Sequence, residues 1–292
     1  FYTQTDYGYG VTPVISASEE EKHSVTSVPA SVLQLPSVST VPCVRLPSAE
    51  VPVKNQLIAF DGEFVSVALE QAETSADGQK VLVQEARQNL ARYSLVDGGM
   101  LGEERPQQSS ENVKIVADDY IIPSETIVDY LTRFSGIVAE DLQPAVSRNA
   151  VVSNRTAYLK LRFFADSGCI FVGHGLDKDF DTANIFVPRE QVIDTVELWR
   201  LPNQRKMSLR FLAAYVLKED IQDEIHDSIE DAKTALFLYR TYQAVAAKGY
   251  NHLQSVLQEM YAYGTKTNWS IRQELIEEHF AQALQQIEVK KD

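Results

Sequence analysis

The chain has 292 residues, 44% apolar and 23% charged, with a formal net charge of −14. This composition excludes disorder throughout, and the charge argues against gripping nucleic acid by a broad basic face, since such affinity comes from Lys and Arg displacing counterions. Two cysteines, Cys43 and Cys169, are too few for a disulfide framework or a thiolate zinc site and point to a reducing compartment.

No apolar run approaches the ~18 to 20 residues that span a bilayer. Phe1 to Gly10 lacks a signal core, and the chain starts at Phe1 rather than Met, so a cytoplasmic segment of a longer protein is expected. Residues 1–55 are rich in Ser, Thr, Val and Pro, with an acidic clump at Glu19, Glu20 and Glu21. They read as a linker or the trailing edge of an upstream domain, because proline removes ladder donors and biases its predecessor towards extended geometry.

From Gln56 the texture changes. Leu57 to Ala68, Asn89 to Val96 and Val113 to Ile122 are enriched in β-branched and aromatic residues and predict three strands, an antiparallel start. Helices are predicted over Thr126 to Phe134, opened by Ser124 and Glu125, and over Thr156 to Ser167. A buried strand, Cys169 to Val172, precedes a helix starting near Leu176. Val192 to Val196 reads as a strand, Ser208 to Leu217 as a helix, and Ile229 to Ala246 as a long amphipathic helix. The tail from Asn251 to Asp292 has helical stretches split by Gly264 to Asn268. The fold class is therefore α/β, a mixed sheet flanked by helices, with an extended N-terminal segment and a helical tail. The domains expected are 1–55, a central unit at 56–245 and a C-terminal extension at 246–292.

Three places carry chemistry. Asp61 and Glu63 interrupt the strand Leu57 to Val65, and strand alternation aims both carboxylates to one face. Inside an apolar strand this is costly unless a cation or proton intervenes, and Gly62 permits close approach on the other face. An edge strand with an acidic solvent face has the same pattern. In the second place, Ile170 to Phe180, a buried strand runs through a glycine turn into a helix on which Leu176, Asp179, Phe180 and Ala183 share a stripe. Asp179 is thus the inward acid, and Asp177 merely favours the helix dipole. The third is His226-Asp227-Ser228-Ile229-Glu230-Asp231-Ala232 at the entry to the long helix. Capping explains several of its acids but not His226, which stands near Asp231.

Together, Asp61-Gly62-Glu63, Gly173-His174-Gly175-Leu176-Asp177-Lys178-Asp179 and His226 to Asp231 resemble the DEDD exonuclease superfamily in its histidine-bearing (DEDDh) branch. With Asp129 to Ile137 and Tyr158 to Phe163 added, residues 56 to 245 are similar to the exonuclease domains of the catalytic subunits of poly(A)-nuclease (PAN) deadenylation complexes. The resemblance implies a ribonuclease H-like fold and 3′-to-5′ removal of 5′-AMP from single-stranded poly(A) RNA. It also implies two divalent ions, Mg²⁺ or Mn²⁺, held by Asp61, Glu63, Asp179 and Asp231. Asp61 would bridge the two ions, and His226 would act as general base. Such ions would also supply the positive potential that an acidic nucleic-acid enzyme lacks. A pseudokinase-like regulatory subunit of the complex is the implied partner. Two alternatives stay open: a catalytically silent RNA-binding or scaffold module, and a DNA-directed DEDDh exonuclease. The basic stretch Arg200 to Arg210 reads equally as a guide for the RNA backbone or a solvated loop.

Overall fold

The computed structural model describes residues 51–75, 77–103, 113–221 and 226–271, all within the compact unit that begins at Ala49. The expected linker up to residue 50, Cys43 and the tail beyond residue 271 lie outside the described residues. Strand β1 (Gln56–Ala68) leads to a hairpin of β2 (Gln71–Thr74) and β3 (Lys80–Gln84), then to β4 (Arg87–Met100) and β5 (Ile115–Ile122). Helix α1 (Thr132–Ser135) and β6 (Ala150–Ser153) precede α2 (Asn154–Asp166), β7 (Ile170–Gly173) and α3 (Leu176–Thr182). Then come β8 (Val192–Asp194), α4 (Thr195–Leu198), α5 (Leu209–Leu212), α6 (Ser228–Ala246) and α7 (Tyr250–Lys266).

Six strands form one sheet in the order β6-β5-β4-β1-β7-β8, antiparallel at β1–β4 and β4–β5 and parallel elsewhere. This is the mixed sheet flanked by helices that the element order predicted, and it is consistent with a ribonuclease H-like exonuclease fold. One face carries Ile58, Phe60, Tyr93 and Leu95, packed with Leu161 and Phe164 of α2 and Leu176 and Phe180 of α3. The other carries Leu57, Ala59, Val96 and Val172 against Ala232, Leu236 and Tyr239 of α6.

Helix α6 is less one-sided than its sequence suggested. Thr234 through Tyr239 are all buried, because Leu238 packs outward into a second core with α5 and with Leu253, Leu257 and Met260 of α7. A helix covered on both sides needs apolar residues all round. Helix α7 runs through Gly264, where an added Cβ would lie 2.4 Å from the Trp269 ring. The glycine admits that ring, and the helix continues to Lys266 before it turns.

Several predicted boundaries change. The helix expected over Thr126 to Phe134 exists only as α1, because the β-branched run Thr126-Ile127-Val128 favours extended backbone. Val128 and Asp129 instead pair with Ser66 at the end of β1. The predicted strand Val192 to Val196 stops at Asp194, whose side chain caps α4. The predicted helix Ser208 to Leu217 is α5 followed by a π-helical turn, Ala213–Leu217. The β2–β3 hairpin and the short β6 were not anticipated; every residue of the two hairpin strands is exposed, so they have no buried face for a pattern to reveal. No helix among the described residues is long and apolar enough to cross a membrane.

For function, the decisive feature is strand length. β1 pairs with β4 along its whole run but with β7 only from Leu57 to Ala59. Beyond Ala59 the β7 side of β1 is open, at the point where β7 turns into α3, and crevices at the carboxyl ends of parallel strands are where ligands bind in open sheets.

Candidate active site

Asp61 and Glu63 lie in this overhang, on the face that α6 covers, with Ser94 and Arg92 of β4 directly opposite them. Glu63 is 7% exposed. The register then shifts: Glu63 pairs with Arg92 but Phe64 with Leu90, so Ala91 is an extra residue and β4 bulges beside the two acids. Gly62 faces the other way, and an added Cβ there would lie 2.9 Å from Leu90 Cδ1 and 3.3 Å from Asp179 Oδ1. The side chain Gly62 lacks thus leaves the space where the third acid sits.

Asp179 arrives on α3. The turn into α3 uses Gly175 at φ 87°, where glycine has no steric penalty. Asp194 holds that turn, accepting hydrogen bonds from the backbone N–H of Gly175 (2.9 Å) and Leu176 (3.0 Å), and from Val196 (2.9 Å) at the start of α4. The His174 ring joins it, with Nδ1 2.9 Å from Thr195 Oγ1 and Nε2 3.0 Å from the Met207 carbonyl. Asp179 is half-buried and Asp177 exposed, as the helical spacing predicted.

Asp231 and His226 come with α6. Asp227 caps that helix, its Oδ1 accepting from the N–H of Ile229 (2.9 Å) and Glu230 (3.2 Å). His226, just outside the cap, donates its backbone N–H to the Phe134 carbonyl at 3.2 Å. Its Nδ1 lies 3.4 Å from Oδ2 of Asp231, which is 3% exposed. Glu63, His226 and Asp231 each offer a ligand atom within 4.8 Å of the others.

The electrostatics follow from this crowding. Burial, then Asp231, pushes the Glu63 carboxyl up to about 8, with Arg92 opposing. Burial raises Asp179 to about 7 against backbone hydrogen bonds and Lys178. Asp61 is driven well above the usual carboxylate range by burial, then by Asp231, Asp179 and Glu63. Carboxylates held together away from water take up protons or a cation. Glu63 Oε1 is buried with no hydrogen-bond partner among the described residues, and a donor set of carboxylates plus imidazole suits a hard divalent ion.

A family model described as Exonuclease matches residues 100–239, a stretch that includes Asp179, His226 and Asp231. The chain is 47% identical over 218 residues to the catalytic subunit PAN2 of the PAN2-PAN3 deadenylation complex of Cryptococcus neoformans, covering 74% of this chain and 18% of that protein. Residues 100–239 thus carry an exonuclease domain. The Homo sapiens PAN2 subunit is 42% identical over 224 residues, covering 76% of this chain and 18% of that one, so the chain spans under a fifth of the curated relatives it matches. Among solved structures, a Saccharomyces cerevisiae Pan2 pseudoubiquitin hydrolase-RNA exonuclease module in complex with AACCAA RNA aligns with a TM-score of 0.67 at 37% identity, covering 78% of this chain and 35% of that one. The Neurospora crassa Pan2 catalytic unit, with protease and nuclease domains, aligns at 0.60 and 42% identity, covering 73% of this chain and 31% of that one.

Around this cluster of acids and histidine stand residues that sequence patterns did not single out: Arg92, Ser94 and Asp194. Arg92 had one signal, a cation at an inward position of a strand whose flanking residues are apolar. The basic stretch proves to be engaged by the chain itself. Glu197 pairs with Arg200 (3.1 Å) and Lys206 (3.0 Å), Arg205 stacks 4.4 Å over Trp269, and Arg210 pairs with Asp220 at 3.4 Å. That favours the solvated-loop reading over an RNA guide.

Proposed function

We propose that this unit is a divalent-metal-dependent 3′-to-5′ exoribonuclease that shortens poly(A) tails of mRNA in the cytoplasm, releasing 5′-AMP. The observation that carries the reading is the meeting of Glu63, His226 and Asp231 around one point, beside Asp61 and within the field of Asp179. Asp61, Glu63, Asp179 and Asp231 would hold two divalent ions, Mg²⁺ first and Mn²⁺ second, which when bound supply charge stabilisation at the scissile phosphate and a more acidic water.

The chain's own groups do the rest. With Nδ1 of His226 turned to Asp231, its Nε2 is the atom left to accept the proton of the attacking water. Water oxygen bonds to phosphorus as the bond to the 3′-oxygen of the preceding nucleotide breaks, and that oxygen leaves on the shortened RNA. Asp231 then balances the imidazolium.

The relatives' names, PAN2 subunits of deadenylation complexes, support poly(A) as substrate, and the solved relative bound to AACCAA supports RNA. By the same token a PAN3-type, pseudokinase-like regulatory subunit is the partner. We assign the catalytic unit to 56–245, with 246–292 as its helical extension. The test compares 5′-labelled oligo(A) with single-stranded DNA of equal length in Mg²⁺, with products resolved by chromatography. A fourfold preference for DNA, about 0.8 kcal/mol of transition-state discrimination, would overturn the deadenylase assignment. RNA binding without turnover in either metal would favour a silent scaffold.

A further inference from the structure

The nuclease site is assembled from two halves that are far apart in the chain: β1 with Asp61 and Glu63, and the start of α6 with His226 and Asp231. One side chain lies at the junction. Arg92 is 7% exposed on the α6-facing side of the sheet, directly across the ladder from Glu63. A guanidinium that deep is tolerated only where its donors are used, and here they are divided among separate elements. Nε and Nη2 fork onto the Asp118 carboxylate of β5 at 2.8 and 3.2 Å, while Nη1 reaches Asp227 Oδ2 at 3.4 Å. The planar group lies 5.0 Å over the Tyr120 ring, the residue opposite it in the β4–β5 ladder.

Asp227 is the residue between His226 and Ser228, and its two oxygens have different tasks. Oδ1 caps α6, and Oδ2 faces Arg92. A second tie sits beside this one, Ser94 Oγ to Ser228 Oγ at 2.7 Å. The first turn of α6 is therefore pinned to β4 at the two positions opposite Glu63 and Asp61. We propose that Arg92 is the positioning residue that locks the His226–Asp231 half of the site onto the Glu63–Asp61 half, through its fork on Asp118 and its contact with the Asp227 cap. A lysine cannot replace it, because a single ammonium on a flexible stem cannot hold two carboxylates in a plane. The cation also tempers the mutual repulsion of the acids, since Arg92 opposes the upward shift of both Glu63 and Asp61.

The inference rests on the nuclease reading for its consequence, not for its geometry. Arg92→Lys keeps the charge, and Asp227→Asn keeps the capping oxygen while losing the charge that faces Arg92. Each should lower the single-turnover rate on oligo(A) at saturating Mg²⁺ by about tenfold, the scale of a sub-ångström misplacement, with KM for RNA within about twofold of wild type. Because both break one link, the double variant should be no slower than the slower single within about twofold. The proposal is overturned if both singles turn over at the wild-type rate, if KM moves in place of kcat, or if the two losses multiply. Should Arg92→Lys fail to fold, Asp227→Asn carries the test alone. Wild-type protein without nuclease activity would refute the functional reading instead. Calorimetric Mn²⁺ titration then decides the lock: weaker binding in Asp227→Asn upholds it, and unchanged binding overturns it.

Discussion

His226 Nδ1 lies 3.4 Å from Asp231 Oδ2, so the helix start that carries the proposed base also carries an acid oriented towards it. The imidazole is 41% exposed and the carboxylate 3%, which leaves the ring accessible to water while its partner is sheltered. His226→Ala should therefore slow single-turnover cleavage by roughly 10²- to 10⁴-fold, the usual worth of a general base. The fold should survive, since the backbone N–H still reaches the Phe134 carbonyl. A pH-rate profile unchanged by the substitution would remove the histidine from the mechanism.

Asp61→Asn and Glu63→Gln should abolish cleavage yet stabilise the metal-free protein at pH 8. Each neutralises a buried carboxylate that its neighbours repel. Each kcal/mol so gained corresponds to about 2–4 °C in Tm for a domain of this size. Thermal scans in EDTA check the stability, and a labelled-RNA assay checks the activity. Wild-type turnover in either variant would refute the ligand assignment.

The same shifts set a pH dependence. Glu63 at about 8 and Asp179 at about 7 in the fold stand above their ordinary 4.5 and 3.8, so the folded protein binds more protons than the unfolded chain between those limits. Stability of the metal-free protein is then greatest below about pH 4 from these groups and is lost as pH rises through 7 to 8. Divalent ions must displace those protons. The rise in Tm on adding Mg²⁺ should therefore grow from pH 5.5 to pH 8, and a rise that shrinks over that range would contradict the assignment.

At Gly62 the space is limited but partly yielding. A methyl there meets Leu90 Cδ1 at 2.9 Å, the far end of a flexible side chain, and Asp179 Oδ1 at 3.3 Å. Gly62→Ala should leave activity within about fivefold, because the leucine can turn and an alanine suits a strand better than glycine. Gly62→Val adds bulk against the Asp179 carboxylate and should cost about 1–3 kcal/mol of stability and most of the turnover. Urea midpoints and initial rates for the pair give the comparison.

Asp194 ties three backbone donors at the entries to α3 and α4. Asp194→Ala should lower unfolding free energy by about 2–4 kcal/mol, as several hydrogen bonds to a charged acceptor are lost together. Asp194→Asn, which keeps one oxygen acceptor, should lose roughly half as much. Activity should fall in the same order, since α3 sets Asp179.

What the sequence alone determined was the periodic part of the molecule. Alternation in Leu57 to Ala68 put Asp61 and Glu63 on one face, and the stripe Leu176, Asp179, Phe180, Ala183 chose Asp179 over Asp177, because strand and helix periods are local properties. Glycine at position 62 was likewise readable as a place of close approach. Tertiary structure decided the rest. Burial of α6 on both sides, the short β1–β7 pairing that opens the site, and the division of Arg92 between Asp118 and Asp227 all join residues distant along the chain. No local pattern encodes them. The loop over Thr126 to Leu131 shows the converse: a favourable capping signal at Ser124 gave way to pairing of Val128 and Asp129 with Ser66, since backbone donors go to whichever partner the packed sheet edge offers.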